Sequence, residues 1–129
     1  MASAPIGVMA VRRLEDLIAY QLSETFKREI YALVRRHPAA QKDFRFRDQL
    51  FQAASGPPSH LAEGFGRRTP RDFILFLSYA RGSLSEALTR LTDGVDRGHY
   101  TDEDARAAAT LGRRAAAAVA ALQRSLERW

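Results

Sequence analysis

Apolar residues recur along most of this chain at spacings of three and four, the period of a helix with one buried face. Leu14, Ile18, Leu22, Phe26, Ile30 and Val34 follow one another every four residues, and Leu17 and Leu33 widen the stripe. The pattern predicts a first helix from about Val11 to Arg36, stopped by Pro38. Phe44, Leu50, Phe51, Ala53 and Ala54 predict a second, from about Lys42 to Ser55. Gly56-Pro57-Pro58 should break or sharply kink it, because each proline removes a donor and crowds the preceding turn. Ser59 can cap a short further segment, His60 to about Phe65, which Gly64 and Gly66 end.

The third helix has the clearest start: Thr69 as N-cap, Pro70 in the first turn and Asp72 where the helix dipole favours negative charge. Its stripe is Phe73, Phe76, Leu77, Ala80, Leu84, Ala87, Leu88, Leu91 and Val95, with Gly94 and Gly98 as stops. Thr101, followed by Asp102, Glu103 and Asp104, opens the fourth. Ala108, Leu111, Ala115, Ala118, Leu122 and Leu126 form its stripe, so a neighbouring helix can approach closely.

Alanine is abundant and no strand-like alternation runs for any length, so the chain is expected to be all-α. Short connections favour an antiparallel up-down four-helix bundle with a kinked second helix. Residues 1–10 are expected to form a flexible lead-in and residues 11–129 a single domain. Ala115–Leu122, the longest wholly apolar stretch, is too short to span a bilayer, and the start lacks a secretory pattern. A cytoplasmic protein with no membrane role is expected. Ile74, Leu75, Tyr20 and Tyr31 lie off the main stripes. They mark either a wide buried face or a surface for self-association.

Charge changes the picture of the surface. The 129 residues carry 20 Lys and Arg against 15 Asp and Glu, a formal charge of +5. Only Lys27 and Lys42 are lysines. Arginine stays charged and forks onto phosphate, so a polyanion partner becomes plausible. Arg35, Arg36, Lys42, Arg45 and Arg47 gather around the first connection, and Arg67, Arg68 and Arg71 around the start of the third helix. In an up-down bundle these groups lie at opposite ends. Phe44 and Phe46 alternate with Arg45 and Arg47, a pattern that either stacks bases or places phenylalanines in the core. Gly64-Phe65-Gly66-Arg67-Arg68 lacks the Lys-Ser/Thr of a nucleotide-binding loop but suits a phosphate contact or a solvated turn.

Candidate chemistry is sparse. The chain has no cysteine, hence no thiolate nucleophile and no cysteine-based metal site. His37, His60 and His99 lie far apart in sequence. His60 and Glu63 share one turn, but a carboxylate-bridged metal bundle needs Glu-x-x-His on two helices. No catalytic residue, metal or cofactor is expected.

Pro58-Ser59-His60-Leu61-Ala62-Glu63-Gly64-Phe65-Gly66-Arg67 resembles the P-x-N-I-A-E-G-x-G-R signature of the four-helix-bundle family encoded in intervening sequences of bacterial 23S rRNA genes. Phe73 to Glu86 resembles that family's F-x-x-F-L-x-x-A-x-G-S-L-x-E helix, and Asp16 to Tyr31 with Pro38 its first helix. The resemblance implies an up-down bundle assembling as a homopentamer, without known catalytic activity. One branch is similar to the accessory variability protein of diversity-generating retroelements, which binds a reverse transcriptase and nucleic acid. His60 departs from the family's asparagine. Glu63, Gly64, Gly66, Arg81, Gly82 and Glu86 match, and a structural role is expected for them. Gly64 and Gly82 would be close-packing or turn positions, Glu63 and Glu86 partners of buried amides or arginines. Together these readings suggest a basic, homo-oligomeric, non-enzymatic accessory protein that binds RNA or DNA. The alternative is a protein–protein scaffold without nucleic acid.

Overall fold

The structure, a computed structural model, describes residues 11–67 and 69–128. The expected lead-in and Arg68 lie outside the described residues. Four long helices and one short one make up the fold, and no strand occurs among the described residues.

The first long helix, α1, is Ile18–Arg36, later than the expected start at Val11. A 3-10 turn, Leu14–Asp16, precedes it, and Leu17 is extended. Residues four apart drift about 40° around a helix of 3.6 residues per turn. A column spaced strictly by four therefore winds off the buried face. Ile18 is 61% exposed, while Ala19, Ser23, Phe26, Ile30, Leu33 and Val34 face inward. Pro38 ends α1, as its spacing predicts, but also opens a five-residue helix, α2 (Pro38–Lys42), that the apolar pattern does not reveal. Proline's fixed φ and missing donor suit a first turn.

Helix α3, Phe44–Phe65, corrects the expected break. It runs without interruption through Gly56, Pro57 and Pro58, and both prolines are buried. Local sequence argues for a stop, because Ala53 and Ala54 carbonyls lose their helical donors. Packing against the next helix wins. Gly56 lies so close to Ser83 that a Cβ there would stand 2.6 Å from the hydroxyl oxygen. Ser59, the expected cap, is therefore mid-helix.

Helix α4, Pro70–Asp96, begins at the Thr69 cap, whose hydroxyl accepts from the Asp72 amide at 3.1 Å. It passes through Gly94, which is buried inside it rather than ending it, and the turn falls at Gly98 with φ 77°. Helix α5, Asp102–Glu127, starts in a capping box: Thr101 accepts from the Asp104 amide and Asp104 accepts from the Thr101 amide.

Helix α3 packs on α4, α4 on α5, α5 on α1, and α1 on α3, closing a ring around one core. Gln49 meets Arg90, and Gly64 meets Phe73, so the α3–α4 pairs run in opposing chain directions. Phe26 with Gly112 and His37 with Asp104 show the same for α1 and α5. Phe26, Ile30, Leu50, Leu61, Leu77 and Leu84 are wholly buried. On α5 the buried positions include Gly112, Ala115, Val119 and Gln123, while Leu111, Ala118 and Leu122 flank them half-buried. Tyr20, Tyr31 and Ile74 pack against the core edge, whereas Leu75 and Tyr79 stand 47% and 46% exposed.

Candidate nucleic-acid interface

The first basic group surrounds the junction of α1, α2 and α3. Arg35, Arg36, Lys42 and Arg45 are exposed. Arg36 approaches Glu29 at 3.6 Å. Arg47 is more restrained: it donates to Asp48 at 3.1 Å and to the Gln41 carbonyl, and its guanidinium lies 5.0 Å over the Phe44 ring. Phe44 is 64% exposed and accessible to a base, but Phe46 is 3% exposed and belongs to the core. The expected aromatic pair thus reduces to one ring. The same end gathers acidic groups, because α4 finishes and α5 begins there. Asp43, Asp93, Asp96, Asp102, Glu103 and Asp104 share it with the arginines, so its field is mixed in sign.

The second group lies at the opposite end, where α3 meets α4. Arg67 pairs with Glu63 at 2.7 Å and sits 4.9 Å over the Phe76 ring. Arg71 is exposed. The 22 residues of α3 separate the two groups by about 30 Å at 1.5 Å per residue. Within one chain they do not form one surface.

A cluster that sequence reasoning missed ties the first end together. Asp43 caps α3 and accepts from the Phe46 amide. Its other oxygen lies 2.8 Å from His99 Nε2 and 3.1 Å from an Arg97 guanidinium nitrogen. The hydrogen bond with His99, followed by the Phe46 amide and the Arg97 charge, holds the Asp43 carboxyl below its ordinary value. The backbone and hydroxyl of Thr101 do the same for Asp104, helped by His37. His37 places one ring nitrogen 2.8 Å from the Leu33 carbonyl and the other 3.2 Å from Asp104. Tyr100 donates to the Leu91 carbonyl at 2.8 Å, and burial pushes its hydroxyl well above the ordinary phenol range. These residues come from three connections and the start of α5, and no spacing in the chain announces their meeting. They lock helix ends together.

The family-motif positions serve different ends. Gly64 is packed so tightly that a Cβ would stand 2.8 Å from both Phe73 Cδ1 and Phe76 Cβ. Gly66 follows α3 with an ordinary φ of −76°. His60 stacks obliquely on Tyr79 with ring centres 5.6 Å apart. Arg81 donates to Gln123 Oε1 at 2.9 Å, and Gln123 donates to Ser78 Oγ, joining α4 to α5. Glu63 and Glu86 pair with Arg67 and Arg90 at the surface and do not serve buried amides. Gly82 stands apart: a Cβ there would meet nothing within 4 Å, so the expectation of close packing at this glycine fails within the chain.

No group of three or more metal-ligating side chains occurs among the described residues, and no helix there is long and apolar enough to cross a membrane. Among curated proteins, none matches this chain. A family model described as 23S rRNA-intervening sequence protein matches residues 15–121. That range takes in α1 to α4 whole and most of α5, and the chain belongs to this family.

Proposed function

We propose that the protein is a non-enzymatic, cytoplasmic, homo-oligomeric accessory protein that binds RNA or DNA through arginine–phosphate contacts, beside a protein partner such as a reverse transcriptase. Its architecture in this reading is an antiparallel up-down four-helix bundle, bent in α3 where Pro57 and Pro58 withhold two backbone donors. The observation that carries the reading is the arginine excess, 18 of 20 basic residues, much of it exposed. Arginine's planar fork matches phosphate oxygens bidentately. Membership of the 23S rRNA-intervening sequence family is in keeping with an RNA-associated role.

Binding to a structured RNA should be measured across a salt series. Several arginines releasing counterions give an affinity that falls steeply and log-linearly with salt. No binding at low salt overturns the reading.

Self-association, with five copies as the expected number, rests on the outward face of α4. Leu75 and Tyr79 are exposed there, and Gly82 lies between them and Ser85 with open space around it. A mid-helix glycine lowers helix stability by about 0.5–1 kcal/mol relative to alanine, with no internal contact to offset it. A second copy approaching this face would supply the contact. Gly82→Leu should leave the helical circular dichroism intact and lower the particle mass seen by light scattering. An unchanged mass removes this face from the interface, and a monomeric parent protein removes the oligomer. The same apolar face favours a second reading, a protein scaffold without nucleic acid. A partner that stays bound after nuclease treatment, with no RNA affinity, would establish it.

A further inference from the structure

We infer that the outer face of α5, rather than the helix-end clusters, is the main nucleic-acid contact surface of this chain. The inference rests on the nucleic-acid reading above and locates its site. Arg106, Arg113, Arg114, Arg124 and Arg128 are all exposed. With 3.6 residues per turn they project into one sector about 100° wide, and at 1.5 Å per residue they extend over about 33 Å.

Three further observations favour phosphate as the occupant. First, the stripe is poor in carboxylates. Asp102, Glu103 and Glu127 stand near its two ends, and Arg106 pairs with Glu103 at 3.0 Å. Among the described residues, Arg113, Arg114 and Arg124 have no carboxylate within ion-pair distance. At the first helix end, by contrast, acidic residues from α4 and α5 share the surface with the arginines, and Arg36 pairs with Glu29. Second, the exposed positions between the arginines are Ala107, Thr110, Ala117 and Ala121. Protein-interface hot spots are enriched in Trp and Tyr as well as Arg, and membrane-surface helices carry bulky apolar side chains. Among its described residues the stripe has no aromatic or bulky apolar side chain. Third, short side chains between arginines leave the backbone of a polyanion free to lie close along the helix, so that each guanidinium reaches a phosphate without steric interruption.

The test compares three proteins binding an RNA duplex of about 20 base pairs by fluorescence polarisation across a salt series. These are the parent chain, R113Q/R114Q/R124Q, and the charge-matched R35Q/R36Q/R45Q. All six positions are exposed, so both variants should keep the parent's helical circular dichroism and mass. The α5 variant should lose at least about tenfold in affinity near physiological salt, with its log–log salt slope reduced by about 2–3. The helix-end variant should change by less than about threefold. Equal losses in both variants, or a larger loss in the helix-end variant, overturn the α5 assignment and leave nucleic-acid binding standing. If the parent itself does not bind at low salt, the nucleic-acid reading and this site fall together.

Discussion

Phe26→Ala should lower the free energy of unfolding by about 3–5 kcal/mol. The ring is wholly buried on α1 and reaches across to α5, where its Cε1 would stand 2.9 Å from a Cβ placed on Gly112. Leu88 of α4 meets the same glycine, with Cδ2 at 2.7 Å from that position. Three helices therefore converge on one point, and the absence of a side chain at Gly112 is what lets them. Removing the benzyl group leaves a void that rigid helix backbones cannot close, so the cavity adds to the lost transfer energy. Small domains are stable by only about 5–15 kcal/mol, so the loss is a large fraction of the total. Urea unfolding followed by circular dichroism, at matched protein concentration, would show a lower midpoint with an unchanged slope. A loss below about 1 kcal/mol would contradict the packing of α1 on α5 described above.

Gly94→Ala should destabilise the protein by about 1–3 kcal/mol, although the exchange favours an isolated helix. A Cβ at this position overlaps the Tyr100 hydroxyl and stands 2.7 Å from Phe46 Cζ. Tyr100 is 5% exposed and donates to the Leu91 carbonyl. To make room the phenol must abandon that bond and its contact with Phe46, leaving a buried polar group without its partner. Unfolding in urea would reveal the loss. A gain in stability, the outcome helix propensity alone predicts, would mean that Tyr100 moves aside freely. The contrast with Gly82 is instructive, since an added side chain there meets only open space.

Much of the fold was legible along the chain, and the reasons are local. Thr69-Pro70 and the Thr101 box satisfy otherwise unpaired amides through residues three positions away, so sequence alone places both helix starts. The stripe of α4 follows mixed spacings of three and four, and its members Phe73, Leu77, Ala80, Leu84, Ala87 and Leu91 are buried. The stripe of α1 was misread at its start because a strict four-residue column drifts around the helix. At Pro57-Pro58 local chemistry pointed to a stop, and contact with α4 kept the helix continuous.

The candidate interface was less legible. Counting arginines by neighbourhood in sequence singled out the helix ends. It passed over Arg113, Arg114 and Arg124, which are spread over three turns and look unremarkable in a linear reading. Their common exposure, and the acidic residues that the end of α4 and the start of α5 bring to the same end of the fold as Arg35 and Arg45, emerge only when helices are placed side by side. The His37–Asp104 and His99–Asp43 pairs join residues 67 and 56 positions apart, beyond the reach of any spacing rule.

By itself the sequence determined that the chain is helical, where two of its long helices begin, that it is rich in arginine, and that it carries the marks of its family. Those properties depend on torsion preferences, caps and periodicity, which act within a few residues. The tertiary structure alone decided that α3 continues through two prolines, which glycines are filled from outside, and which arginines remain free of carboxylates. Each of these depends on what a neighbouring helix places within a few ångströms, and dispersion, overlap and ion pairing act only over such distances.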